Sequence, residues 1–450
     1  MRHIGSSRRA RAVSAECVLT PYPSCRSLAL SHGRASADGV GATLRGAIQR
    51  PARRGLPAGE CVTDNSEAAR AGAVRVLHDH WDEARGYTYP HRKTYPHQWL
   101  WDSCFASVAW AAVGEPERGV RELTNALSAQ FAHGFVPHMR YAFPNDERGP
   151  RTDCSSFTQP PIFAHAARVL AGHQELDADL IARVRKGLEW LWAERRTPDG
   201  LIFLVHPWES GADDSPRWDS WAAAFLHAND WNRLRWRRWR WSRLDRHLVT
   251  QAEYDADGAA VGSTSFVAAP AAFNAITAHA AAEYAALTGE TAWADRSREL
   301  AEVMDRQMWR ESEGLWSDVA VVGGGESVHV PTLDGVLGAL VTTDAAKATR
   351  ALDQLADLSR FAAPYGLNFV AREARSYNAD QYWRGSAWMQ MNYLARVAAL
   401  RWERTDLVDA IGDMSRRGAL KGRYAEHWNP QNGKGHGAIP LTWSAVVAAM

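Results

Sequence analysis

No apolar run in the 450-residue chain is long enough to cross a bilayer, so a helical membrane anchor is not expected. Cysteine is scarce. The five residues Cys17, Cys25, Cys61, Cys104 and Cys154 are an odd number and too sparse for a disulfide framework, which points to a reducing cytoplasm. Net charge is nearly absent, +1 overall, which removes the electrostatic case for a nucleic-acid partner. A secretory signal is not expected either, because no apolar segment follows Arg8, Arg9 and Arg11. There is no strong short repeat of the solenoid kind. These absences leave a globular protein acting on a small molecule, with room for a homo-oligomer.

What is present is unevenly placed. Residues 1–60 hold ten Arg, no Lys and three acids, a net of +7, so the remaining residues carry −6. Residues 1–64 lack sustained periodicity and read as a basic, low-complexity leader, disordered or an over-long start of the reading frame. Residues 65–450 read as the folded unit. Tryptophan is abundant, 21 copies, and Trp99, Trp101, Trp208, Trp218, Trp383, Trp388, Trp428 and Trp443 sit beside polar motifs rather than in apolar runs.

The folded unit reads as all-α. Periodicity predicts a first helix near Ser66, with Ser66 as its N-cap. Further helices are predicted at 100–113, 116–131, 161–172, 177–194, 218–229, 267–288, 291–309, 344–358, 384–401, 404–416 and 441–450. The last apolar run stops abruptly at Met450, as an unfinished helix would. Strand-like runs are confined to 201–205 and, more weakly, 318–323. Two architectures fit: a helical array, or a closed toroid of helical hairpins whose loops gather at one mouth.

The densest chemistry lies between Trp208 and Asp219, where Glu209, Asp213, Asp214 and Asp219 are interleaved with Trp208, Arg217 and Trp218 around Gly211 and Pro216. Glycine and proline make this a shaped loop rather than a helix. Capping at Asp214-Ser215-Pro216 would assign Asp214 and Asp219 to structure, leaving Asp213 and Glu209 for chemistry. Tyr95, Gln98, Trp99, Trp101 and Asp102 either line a sugar pocket or form an aromatic-packed helix start with Asp102 as its cap. Thr158-Gln159-Pro160-Pro161 places the Gln159 amide at a helix entrance, for hydroxyl binding or as an ordinary first turn. Tyr382-Trp383-Arg384-Gly385 precedes another helix, with Gly385 allowing close approach of a ligand or of a neighbouring helix. Glu426 is the only acid after Asp413, beside Asn429-Pro430 and a glycine-rich stretch. Arg233–Arg243 contains six Arg and three Trp and reads as a solvated helix, with one Arg able to grip a substrate carboxylate. His78, His80 and Asp82 face apart on a helix, so no metal site is expected there. Asp255-Ala256-Asp257-Gly258 reads as a turn.

Taken in order, these motifs, together with Gly134-Phe135-Val136-Pro137-His138-Met139, resemble glycoside hydrolase family 63 in its bacterial mannosylglycerate and glucosylglycerate hydrolase branch. The Glu-Ser-Gly-x-Asp core at 209–213 also resembles the trehalases. The resemblance implies an (α/α)6 toroid and inverting hydrolysis, with Asp213 as general acid and Glu426 as general base. Inversion needs two carboxyls about 6.5–9.5 Å apart. The expected roles follow. Glu209 and an apolar wall keep Asp213 protonated. Trp99, Trp101, Trp208, Tyr382 and Trp383 pack the sugar. Gln98, Asp102 and Gln159 bind hydroxyls, and Tyr95, Arg384 and Gly385 complete the site. Neither a metal nor an organic cofactor is required. The expected substrate is a small α-glycoside, glucosylglycerate ahead of mannosylglycerate. The alternatives are a trehalase-like hydrolase of neutral α-glucosides and a non-catalytic sugar-binding toroid.

Overall fold

The computed structural model describes residues 62–145, 147–226 and 237–450. Residues 1–61 of the basic leader lie outside the described residues, as do Arg233, Leu234, Arg235 and Trp236 of the Arg-Trp stretch, while the leader's last three residues, 62–64, belong to the first helix. Among the described residues there are twelve α-helices and six two-stranded sheets of very short strands. The helices are α1 (Val62–His80), α2 (Leu100–Val113), α3 (Pro116–Leu127), α4 (Phe163–Ala171), α5 (Ala178–Glu194), α6 (Asp219–Leu226), α7 (Arg237–Gln251), α8 (Ala271–Thr288), α9 (Thr291–Gln307), α10 (Ala345–Asp353), α11 (Met389–Arg401) and α12 (Thr405–Gly422). No described helix is long and apolar enough to cross a membrane.

Sequence pattern sorts these helices into two kinds. Helix α2 is buried from Leu100 to Ala111, including its polar Asp102, Ser103 and Ser107. Helix α8 is buried along nearly its whole length. A helix that is apolar on every side must sit inside. Helices α3, α5, α9 and α12 bury one stripe only, as with Leu300, Ala301 and Met304 of α9, and so cover the outside. Two 3₁₀ segments, Leu333–Leu340 and Thr442–Ala449, are also inside. Packing runs from α2 to α4, to α8, to Leu333–Leu340, to α11, to Thr442–Ala449 and back to α2. Each inner element is backed by an outer one: α3, α5, α9, α10, α12 and α1. Helices α6 and α7 stand apart from this circuit. They enclose a satellite cluster of Trp218, Trp221, Leu244, Leu248 and Phe266.

Several boundaries differ from expectation. Helix α1 begins at Val62, so Ser66 lies inside it. Helix α2 begins at Leu100 with Trp99 at its cap position, which leaves Asp102 in the first turn. The run 201–205 forms only isolated bridges, Arg196 with Ile202 and Leu204 with Ala268. The stretch 384–388 is a turn followed by a bridge from Ala387 to Trp428 rather than helix, and the C-terminal apolar run is 3₁₀.

Candidate active site

The loop from His206 to Asp219 is a pair of 3₁₀ turns, Pro207–Ser210 and Pro216–Trp218, joined through Gly211. Gly211 has φ of 73°, and a Cβ there would meet the Trp101 ring at 3.1 Å, so glycine is required on both counts. Both ends of the loop are fixed by buried ion pairs. Glu209, fully buried, receives Arg195 Nη2 at 2.7 Å and Nη1 at 3.0 Å. It also accepts the backbone N–H groups of Thr158 and Val205 at 3.1 and 2.8 Å. Arg217, also buried, donates to Asp318 at 2.7 Å and pairs with Asp334. Ser215 caps the second turn, while Asp214 and Asp219 both meet the guanidinium of Arg384.

Asp213 hangs between these anchors at the cavity wall. Burial, the neighbouring Asp214 and the charge of Glu426 push its pKa up to about 7. Asp245, also in the wall, is raised by burial and by Asp213. Asp102 on the floor is raised by burial and then by Glu426.

Glu426, in the lining of the same cavity, is held differently. Glu426 precedes the strand His427–Trp428, which pairs with Gly435–His436. Gly437 has φ of 71°, and a Cβ there would collide with Glu426 Oε2. The missing side chain lets the chain pass over the carboxylate, so that Ala438 N–H donates to Oε2 at 2.9 Å. The hydroxyls of Tyr95 and Tyr382 donate to Oε1 at 2.9 and 3.3 Å. Burial and the Glu426 charge hold both phenols above their ordinary range, so they stay donors.

Between the walls lies a cavity of about 930 Å³. Trp99, Trp208 and Tyr382 give it flat faces, and Gln159 lines it while its Oε1 holds Trp101 N–H at 3.0 Å. Trp99 and His138 line the cavity, and their Nε1 and Nε2 atoms are buried without a hydrogen-bond partner among the described residues. Burial lowers the pKa of His138 to about 3, so it is neutral. Arg148 crosses the cavity edge 5.0 Å from the Trp208 ring centre and 5.9 Å from that of Trp99. Arg246 also lines the cavity.

Of the residues proposed from sequence, Tyr95, Trp99, Asp102, Gln159, Trp208, Asp213, Tyr382 and Glu426 come together here. Six do not line the cavity. Gln98 is buried behind it, donating to Ser103 Oγ at 3.1 Å. Trp101 lies beneath Gly211. Glu209 is neutralised by Arg195 and is not what holds the proton on Asp213. Trp383 is buried in a stack on Trp388, centres 3.6 Å apart and planes 3° off parallel, behind Tyr382. Arg384 is occupied by Asp219 and Asp214. The close approach at Gly385 is to its own chain: a Cβ would lie 2.7 Å from the Asn378 carbonyl. Sequence reasoning passed over Arg148, Arg246 and Asp245 as site residues. Arg148 and Asp245 stand in no motif singled out above, and Arg246 lies just beyond the Arg233–Arg243 stretch.

Residues 95–444 match the model of the mannosylglycerate hydrolase MGH1-like glycoside hydrolase domain. A mannosylglycerate hydrolase of Rubrobacter radiotolerans is 26% identical, over 87% of this chain and 97% of its own. A glucosylglycerate hydrolase of Mycolicibacterium hassiacum is 27% identical, over 78% of this chain and 90% of its own. The crystal structure of a family 63 mannosylglycerate hydrolase from Thermus thermophilus, in complex with glucose, superposes with a TM-score of 0.66 at 25% identity, covering 84% of this chain and 98% of that one. The chain belongs to the mannosylglycerate hydrolase MGH1-like glycoside hydrolases, within glycoside hydrolase family 63.

Proposed function

We propose that the protein hydrolyses a small α-linked sugar–glycerate, glucosylglycerate or mannosylglycerate, with inversion at the anomeric carbon. Asp213 acts as general acid and Glu426 as general base, on an (α/α)6 toroid formed by the six inner elements and their outer partners. The observation that carries this reading is the opposite treatment of two carboxyls across one cavity. Burial pushes Asp214 up to about 7 as well, against the pull of Arg384 beside it, and the crowding of the two carboxyls favours a proton on Asp213. Asp213 donates that proton to the glycosidic oxygen. Three donors keep Glu426 charged and oriented to take a proton from the attacking water. Trp99, Trp208 and Tyr382 offer apolar faces to the sugar, while Gln159, Asp102 and His138 offer polar atoms to its hydroxyls. Arg148 and Arg246 supply the positive charge that a glycerate carboxylate requires, which favours an anionic aglycone over neutral oligosaccharides.

The test is incubation with glucosylglycerate, mannosylglycerate, trehalose and maltose, with the released anomer followed by NMR. Release of the β-sugar from a glycerate substrate is expected. Turnover of trehalose or maltose alone would overturn the substrate assignment, and release of the α-anomer would overturn the inverting one.

A further inference from the structure

Beyond the cavity, a second polar cluster is buried among the inner helices. His165 of α4 and His279 and Glu283 of α8 turn their side chains toward one another, and all three are buried. His165 Nδ1 lies 3.2 Å from His279 Nε2 and 3.7 Å from Glu283 Oε1, and His279 Nε2 lies 3.4 Å from the same oxygen. Behind them, Tyr393 of α11 meets His165 Nε2 through its hydroxyl at 2.8 Å.

These distances describe one face of a coordination tetrahedron. Zinc bound at about 2.0–2.2 Å by nitrogen and oxygen holds neighbouring ligand atoms about 3.3–3.5 Å apart. The three edges here bracket that value. The three atoms are mutually close, with two imidazole nitrogens and one carboxylate oxygen at the corners of one triangle. Tyr393, beyond the ligand ring, sets the orientation of the His165 imidazole, as outer partners of metal-bound histidines do.

We propose that His165, His279 and Glu283 bind a zinc ion between α4 and α8, with water in the fourth position, separate from the hydrolytic cavity. Two imidazole nitrogens and one carboxylate suit zinc, and its cobalt substitute, better than calcium or magnesium. None of the three residues lines the hydrolytic cavity, so the site is independent of Asp213 and Glu426.

The test uses the full chain, prepared without metal-binding tags and dialysed against a chelator. Zinc chloride is added back and bound metal is measured by mass spectrometry. About one equivalent is expected, with a rise in Tm of a few degrees. Cobalt in its place is expected to give the visible absorption of a tetrahedral site. His279→Gln and Glu283→Gln are each expected to lose this equivalent, Tyr393→Phe to weaken it about tenfold, and Asp213→Asn to keep it. No retained zinc or cobalt in the wild-type protein, with no change in Tm, would overturn the proposal without bearing on hydrolysis. Undiminished binding in both His279→Gln and Glu283→Gln would overturn it too, even if those variants were less stable.

Discussion

The two walls of the cavity hold the same functional group in opposite ways. Glu426 sits among donors: two phenols and a backbone N–H point at its oxygens. Asp213 sits among acids, with Asp214, Asp245 and Glu426 around it. The first setting stabilises a charge and the second a proton. The difference is not carried by the carboxyl groups. It is carried by the scaffold, through a glycine that lets a strand pass over Glu426 and through ion pairs that lock the loop beside Asp213.

This contrast can be broken outright. Asp213→Asn and Glu426→Gln are each expected to lower kcat about a thousandfold, measured by glycerate release. A variant retaining full activity would remove that residue from its role. Next in size is the buttress behind the Asp213 wall. Arg195→Met leaves Glu209 buried and unpaired, an expected loss of about 3–5 kcal/mol in urea unfolding. Arg195→Met with Glu209→Gln should recover most of it. Equal losses in single and double variants would mean that the pair is not coupled.

Smaller changes sharpen the contrast. Tyr382→Phe removes one donor from Glu426, so activity should fall about tenfold and the acid limb of the pH profile should move upward. Arg148→Ala should raise KM about tenfold for a sugar–glycerate while leaving a neutral glycoside unaffected. The smallest effect is on stability. Asp213 has a folded pKa of about 7 against an ordinary 3.8, so the folded state holds more protons between those values. Stability therefore falls as pH rises across that window. Asp213→Asn removes this loss, so its Tm should exceed that of the wild type at pH 8 and match it at pH 3. A lower Tm at pH 8 would contradict the protonated assignment.

How much of this was legible in the sequence depends on the range of each interaction. The apolar character of α2 and α8 and the single stripes of α3 and α9 are local, and the expected all-α reading matches them. The shape of the Trp208 loop is also local, since Gly211 and Pro216 dictate it. Roles within the loop are not local. Glu209 reads as a neighbour of Asp213 until Arg195, at the end of another helix, is seen to neutralise it. Trp383 reads as a sugar platform because its motif is aromatic, yet the backbone turn aims it at Trp388 instead. Arg148 sits in a long loop without periodicity, and only the closed fold brings it over Trp99 and Trp208. The inner segment Leu333–Leu340 was missed for a related reason: eight residues of 3₁₀ helix are too short to show a helical period.

The Trp383–Trp388 stack has an optical consequence. Two indoles in parallel contact share their excited states, so their far-ultraviolet transitions split into a circular dichroism couplet whose sign and size follow the angle between the rings. Tyr382 rests edge-on against this pair and touches Glu426 with its hydroxyl. A ligand that displaces Tyr382 is therefore expected to change this couplet, a readout of binding that needs neither dye nor isotope.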